Sequence, residues 1–96
     1  MDDITLFFMK ETSKIKNLYY YSQIKIREQK NGFAIIGQLG PNLSNVLYKV
    51  KLINGKIKVL LRKTDIQLGG THEFESKELA MEFLNNYFLN LHKENN

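Results

Sequence analysis

Apolar and basic residues alternate through two short runs at 46–62, VLYKVKLINGKIKVLLR, and Asn54-Gly55 joins the runs. A period of two marks a strand, and an Asn-Gly pair supplies the two left-handed residues of a tight hairpin turn. A two-residue turn sets the register: Leu52 faces Ile57, Val50 faces Val59 and Tyr48 faces Leu61 on one side, and Lys51 faces Lys58 on the other. The first set is candidate core. The second is a basic surface.

The same pattern occurs earlier. Over 18–28 the even positions Tyr20, Ser22, Ile24 and Ile26 are mostly apolar, and the odd ones run Tyr19, Tyr21, Gln23, Lys25, Arg27. Asn31-Gly32 predicts a second tight turn, and 33–39 the returning strand. With a loop of either two or four residues, Ile24 and Ile26 share a face with Phe33, Ile35 and Leu39, and Lys25 and Arg27 lie opposite them. Gly37, on the core side, marks a bulge or a close backbone approach. Gly40-Pro41-Asn42 breaks the pattern before the second hairpin. Connections this short make an antiparallel meander of four strands, 18–28, 33–39, 46–53 and 56–63.

From residue 76 the period changes to that of a helix. Ser76 is a good N-cap, Glu75 and Glu78 suit the positive end of the helix dipole, and His92 and Lys93 the negative end. Leu79, Ala80, Phe83, Leu84, Tyr87, Phe88 and Leu91 form one stripe, with Met81 at its margin and Leu89 pointing away, which implies a second contact for this helix over 76–92. Residues 64–74, with Ile66, Leu68 and Gly69-Gly70, read as a loop with at most a short edge strand. Residues 1–13 fit both periods; a helix opened by Asp3 is the reading adopted, and its large apolar side chains must cover remaining core surface or a second copy of the chain. The tail 93–96 is expected to fray. The fold class is thus α+β: one domain over 1–96, a four-stranded antiparallel meander packed on one face by the C-terminal helix.

Composition narrows the chemistry. The 96 residues are 43% hydrophobic and 25% charged, ordinary values for a globular chain, and there is no cysteine, which removes disulfides, thiol nucleophiles and thiolate metal sites. No apolar run approaches the roughly 18 residues of a membrane span, and 4–9 is too short and too acidic in its flank for a signal peptide, so a cytoplasmic location is the default expectation. His72 and His92 lack acidic neighbours at ligand spacing, and Asp65, Glu73, Glu75, Glu78 and Glu82 do not converge. Neither an enzyme, a metal nor a cofactor is therefore expected.

Charge adds the functional hint. The net charge is +4, but 14–63 holds eleven basic residues against Glu28 alone, and the two ends hold three basic and nine acidic residues. An overuse of lysine, Asn and Ile of the kind an AT-rich genome produces would raise the lysine count without arranging it, so a basic centre between acidic ends needs a geometric cause. If both hairpins turn their basic parity to one side, the sheet presents Lys25, Arg27, Lys49, Lys51, Lys58 and Arg62, with Tyr19 and Tyr21 on the same parity. Such a face would bind single-stranded DNA or RNA, lysines on phosphates and tyrosines under unpaired bases. The plainer reading is a solvated lysine-rich surface. Two rival partners suit the same charge: an acidic protein surface, bound by a mobile-element or phage-type inhibitor or adaptor, and a second copy of the chain in a homodimer.

Overall fold

Asn54 and Gly55 take positive φ, +53° and +76°, and the hairpin they close pairs Leu52 with Ile57, Val50 with Val59 and Lys51 with Lys58. This register is the one the alternation predicts. A computed structural model describes residues 2–62 and 70–94, the last four of these by their backbone alone. Its order is α1 (Asp3–Ser13), a 3-10 turn (Lys16–Leu18), β1 (Gln23–Gln29), β2 (Gly32–Gly40), β3 (Leu43–Ile53), β4 (Lys56–Leu61), β5 (Gly70–Phe74) and α2 (Lys77–Glu94). The strands form one antiparallel meander in sequence order, five strands where the alternation predicts four. The expectations for Ile66, Leu68, Gly69 and Asp65, and for the side chains of Leu91, His92 and Lys93, lie outside the described residues.

The first hairpin turns at Lys30-Asn31, one residue earlier than expected, with Asn31 at φ +62° and Gln29 paired with Gly32. Asparagine tolerates the left-handed conformation, so the glycine is free for another task. A Cβ on Gly32 would sit 1.9 Å from the Val50 carbonyl oxygen. The glycine is therefore needed for the approach of β3, and not for the turn itself.

The N-terminal segment is helical, as expected, over Asp3–Ser13. Its cap is Asp2, not Asp3: the Asp2 carboxylate accepts the Thr5 backbone N–H at 2.8 Å, and this bond holds its pKa below the ordinary value. Both helices lie on the same face of the sheet, α1 against β1 and β2, α2 against β4 and β5. Between them and the sheet is the core of Phe8, Phe33, Ile35, Tyr48, Val50, Ile57, Val59, Leu61, Ala80, Leu84 and Phe88. The presence of α1 rotates the buried stripe of α2. Met81 is 3% exposed because it faces α1, whereas Leu79, expected in the stripe, is 49% exposed. Lys77 completes the helix contact with its ammonium 5.3 Å from the Phe7 ring centroid.

Tyr48 stands where the three layers of contact meet. Its ring is 6.3 Å from both Phe8 of α1 and Phe88 of α2, and its hydroxyl shares a 2.6 Å hydrogen bond with Thr12, which is fully buried. Burial pushes the phenol well above its ordinary pKa of 10.0, an effect that the Thr12 bond only partly offsets.

Two outcomes follow from that contact. Tyr48→Phe and Thr12→Val should each cost about 1–3 kcal/mol in urea unfolding, because each strands a buried hydroxyl or leaves its hole, while the double variant costs less than the two added. Above pH 10 the unfolded chain loses a phenolic proton that the folded one keeps. Stability should therefore decline as pH rises beyond that point, and Tyr48→Phe should flatten the decline.

Candidate nucleic-acid interface

The helix-covered face takes the odd residues of β2 and their partners, so the even ones fall on the open side. Pairing across β1 to β5 arranges the open face in rows: Gln29, Gly32, Lys51, Lys58, Glu73; then Arg27, Ala34, Lys49, Leu60, Thr71; then Lys25, Ile36, Val46. Both hairpins do turn their basic parity to the same side. Arg27 and Lys49 share a row, two strands or roughly 10 Å apart, with Lys25 one row to one side and Lys51 one row to the other. The four form an oblique band across the sheet. Among the described residues none of them has an acid within ion-pair distance.

The floor of that band is β2. Ala34 is fully buried and Ile36 only 6% exposed, although both helices lie on the other side. Their ladder neighbours are Lys25, Arg27, Lys49 and Val46, so the aliphatic stems of the basic residues cover them while the charged heads remain in water.

Lys58 has a different position from the one expected. The alternation leaves Lys51 opposite Lys58 with no acid on that face of the hairpin, but β5 supplies one: Glu73 pairs with Lys58 in the ladder, with Nζ to carboxylate oxygen at 3.9 Å. Glu75 pairs with Lys56 and raises its pKa. The basic face is thus narrowed to β1 and β3, with Lys58 partly neutralised at its border. Thr71, Glu73 and Glu75 alternate with His72 and Phe74 in the sequence, and that short alternation was the available sign of β5. His72, expected in a loop, faces α2 with its ring 4.6 Å from that of Phe83. Among the described residues its buried Nε2 has no hydrogen-bond partner.

Tyr21 does not join the cations. The strand begins only at Gln23, and the chain reaches it through the 3-10 turn, so the parity assumed for the tyrosines does not apply. The Tyr21 ring lies over Gly37, where a Cβ would be 2.6 Å from it, and its hydroxyl accepts a hydrogen bond from Asn45 Nδ2 at 3.3 Å. Gly37 and Asn45 are paired residues of the helix-covered side. Where a bulge or a backbone approach is expected at Gly37, the close approach is made by the Tyr21 side chain. Tyr19, 80% exposed, follows the 3-10 turn, and Tyr20 packs edge-on against it. Arg62 comes directly after β4, exposed at the margin of the open face beside Val46 and Leu47. Of the eight residues expected together, Lys25, Arg27, Lys49 and Lys51 form the band, Lys58 and Arg62 border it, and Tyr19 and Tyr21 stand apart.

Among the described residues no three side chains of metal-ligating type gather, and no helix is long and apolar enough to cross a membrane. Comparison with protein-family models, with curated proteins and with solved structures finds no match to this chain.

The band carries a stability cost that can be measured. Because Lys51 faces Lys58, Lys51→Glu should stabilise the fold by roughly 0.2–1 kcal/mol in urea unfolding, whereas Lys58→Glu, which turns the contact with Lys51 favourable and the one with Glu73 unfavourable, should leave stability nearly unchanged.

Proposed function

We propose that the protein is a non-enzymatic binding module that holds single-stranded nucleic acid by its phosphates on the open face of the sheet. The observation that carries this reading is the band of Lys25, Arg27, Lys49 and Lys51, drawn from both hairpins onto one uncovered face with no acid beside it among the described residues. The band is two strands across, wide enough for one phosphodiester chain, and its apolar floor offers no hydrogen-bonding groups to read base edges. Binding of this kind is driven by counterion release and is indifferent to sequence.

An acidic protein surface is the second reading, and one observation favours it. Val46 and Leu60 are half-buried among the cations, and an apolar contact between charges is what a protein partner would use.

Four phosphate contacts to a single strand predict a slope of about −3 for log K against log salt, a loss of roughly 50-fold between 50 and 200 mM. Fluorescence anisotropy of a labelled oligothymidylate measures it. Lys49→Gln with Lys51→Gln should halve the slope, and Lys77→Gln, on the helix side, should leave it unchanged. Absence of binding at ~50 mM salt would remove the nucleic-acid reading, and recovery of one acidic protein from a nuclease-treated extract would replace it with the second.

A further inference from the structure

The aromatic residues that are missing from the cation band collect at one end of the sheet. Tyr20 and Tyr21 lie with ring centroids 4.4 Å apart and, with Tyr87 of α2 and Arg62, they line a cavity of about 170 Å³. An apolar cavity of about 150 Å³ takes one benzene, so this one has room for a single planar six-membered ring. Its lining sets three phenol rings beside apolar side chains, with the Asn45 amide and one guanidinium among them.

The cavity is connected to the basic face by the way β3 outruns its neighbour. Pairing with β4 stops at Lys49 and Leu60, but β3 extends back to Leu43, and Leu47 is an extra residue there, since Ile35 pairs with Tyr48 and Ile36 with Val46. β3 and the end of β4 therefore part around a larger cleft of about 370 Å³. Val46, Leu47 and Arg62 line both spaces, and Lys49 and Leu60 of the open face form the far wall of the larger one. From Lys49 to Val46 is three residues of strand, roughly 10 Å. One or two nucleotides span that distance.

We infer that the tyrosine cavity is a subsite for one unpaired base of the strand whose phosphates lie on the sheet, the ring stacking on Tyr20 and the adjoining phosphate meeting Arg62. The inference rests on the function proposed above, and it gives a face without aromatic side chains a means to prefer a base-bearing strand to a bare polyanion.

The chain has no tryptophan and five tyrosines, so its ultraviolet emission comes from tyrosine, and three of the five line the cavity. The test is a titration, corrected for absorption, with three probes: a single-stranded oligothymidylate, an abasic oligodeoxynucleotide of equal length, and inorganic polyphosphate. The oligothymidylate should bind roughly tenfold more tightly than the abasic strand and quench the emission, and Tyr20→Leu should abolish both differences while leaving abasic affinity unchanged. Equal binding of all three probes without quenching overturns the base subsite and leaves phosphate binding intact. If none of the three binds at low salt, the phosphate reading fails and the subsite with it. The comparison of probes on the unaltered protein does not depend on how any variant folds.

Discussion

A phenol cannot be buried without an answer to its hydroxyl, and in this fold that answer comes from Thr12. The bond between Thr12 and Tyr48 fixes α1 in register on the sheet, with Phe8 over Phe33 and Tyr48, and Phe88 of α2 closes on the same ring from the other side. Both helices are thereby committed to one face. The opposite face is left to water, and most of its side chains outside β2 are polar: lysine, arginine, glutamine, glutamate and threonine, with Val46 and Leu60 half-buried among them. The basic surface is a consequence of this one-sided covering. Alternation within the strands sorts the charges, but the helix contact decides which side receives them.

The interior strand β2 links packing to the proposed site. It has neighbours on both sides and two glycines that admit close approach, Gly32 for the β3 backbone and Gly37 for the Tyr21 ring. Between them Ala34 and Ile36 depend for their cover on the stems of cations from β1 and β3. Two energies oppose one another here. Apolar burial under a lysine stem is worth about 25 cal/mol per Å², whereas like charges in facing positions cost a few tenths of a kcal/mol to about 1 kcal/mol. The first favours stems that lie along the sheet, and the second is only partly relieved by Glu73, because that acid reaches Lys58 and not Lys51.

What the sequence discloses and what it hides divide along a physical line. The Asn54-Gly55 hairpin, the alternation within each hairpin and the Ser76 cap of α2, whose side chain accepts the Leu79 N–H at 3.2 Å, are local features set by a turn, a period of two or a cap. They were all legible. The tyrosine run at 19–21 was not, since its β propensity is overruled by the need to bring the chain from the end of α1 to the edge of the sheet, which the 3-10 turn accomplishes with Leu18 buried. Nor was the facing of Met81 and Leu79, because the partner that buries Met81 is α1, and no periodicity within α2 records where α1 lies. β5 was legible only as a short edge strand at most, for the same reason: His72 and Phe74 make a convincing inward pair only when Phe83 is there to receive them.

The separation of charge has a consequence for how a polyanion would meet this molecule. Glu11, Glu78 and Glu82 sit together on the helix layer, and the unpaired cations sit on the far side of the sheet. The thinnest dimension of the chain is 20 Å, while charges are screened over about 8 Å at physiological ionic strength. Acids on the helix side therefore do little to weaken binding at the sheet, and the net charge of +4 understates what a phosphate near Lys49 would experience. At lower salt the opposed faces act together as a dipole that turns the sheet toward a polyanion before contact. On the proposed function, the helix acids would contribute to orientation and to association rate, and the four cations of the band would set the affinity.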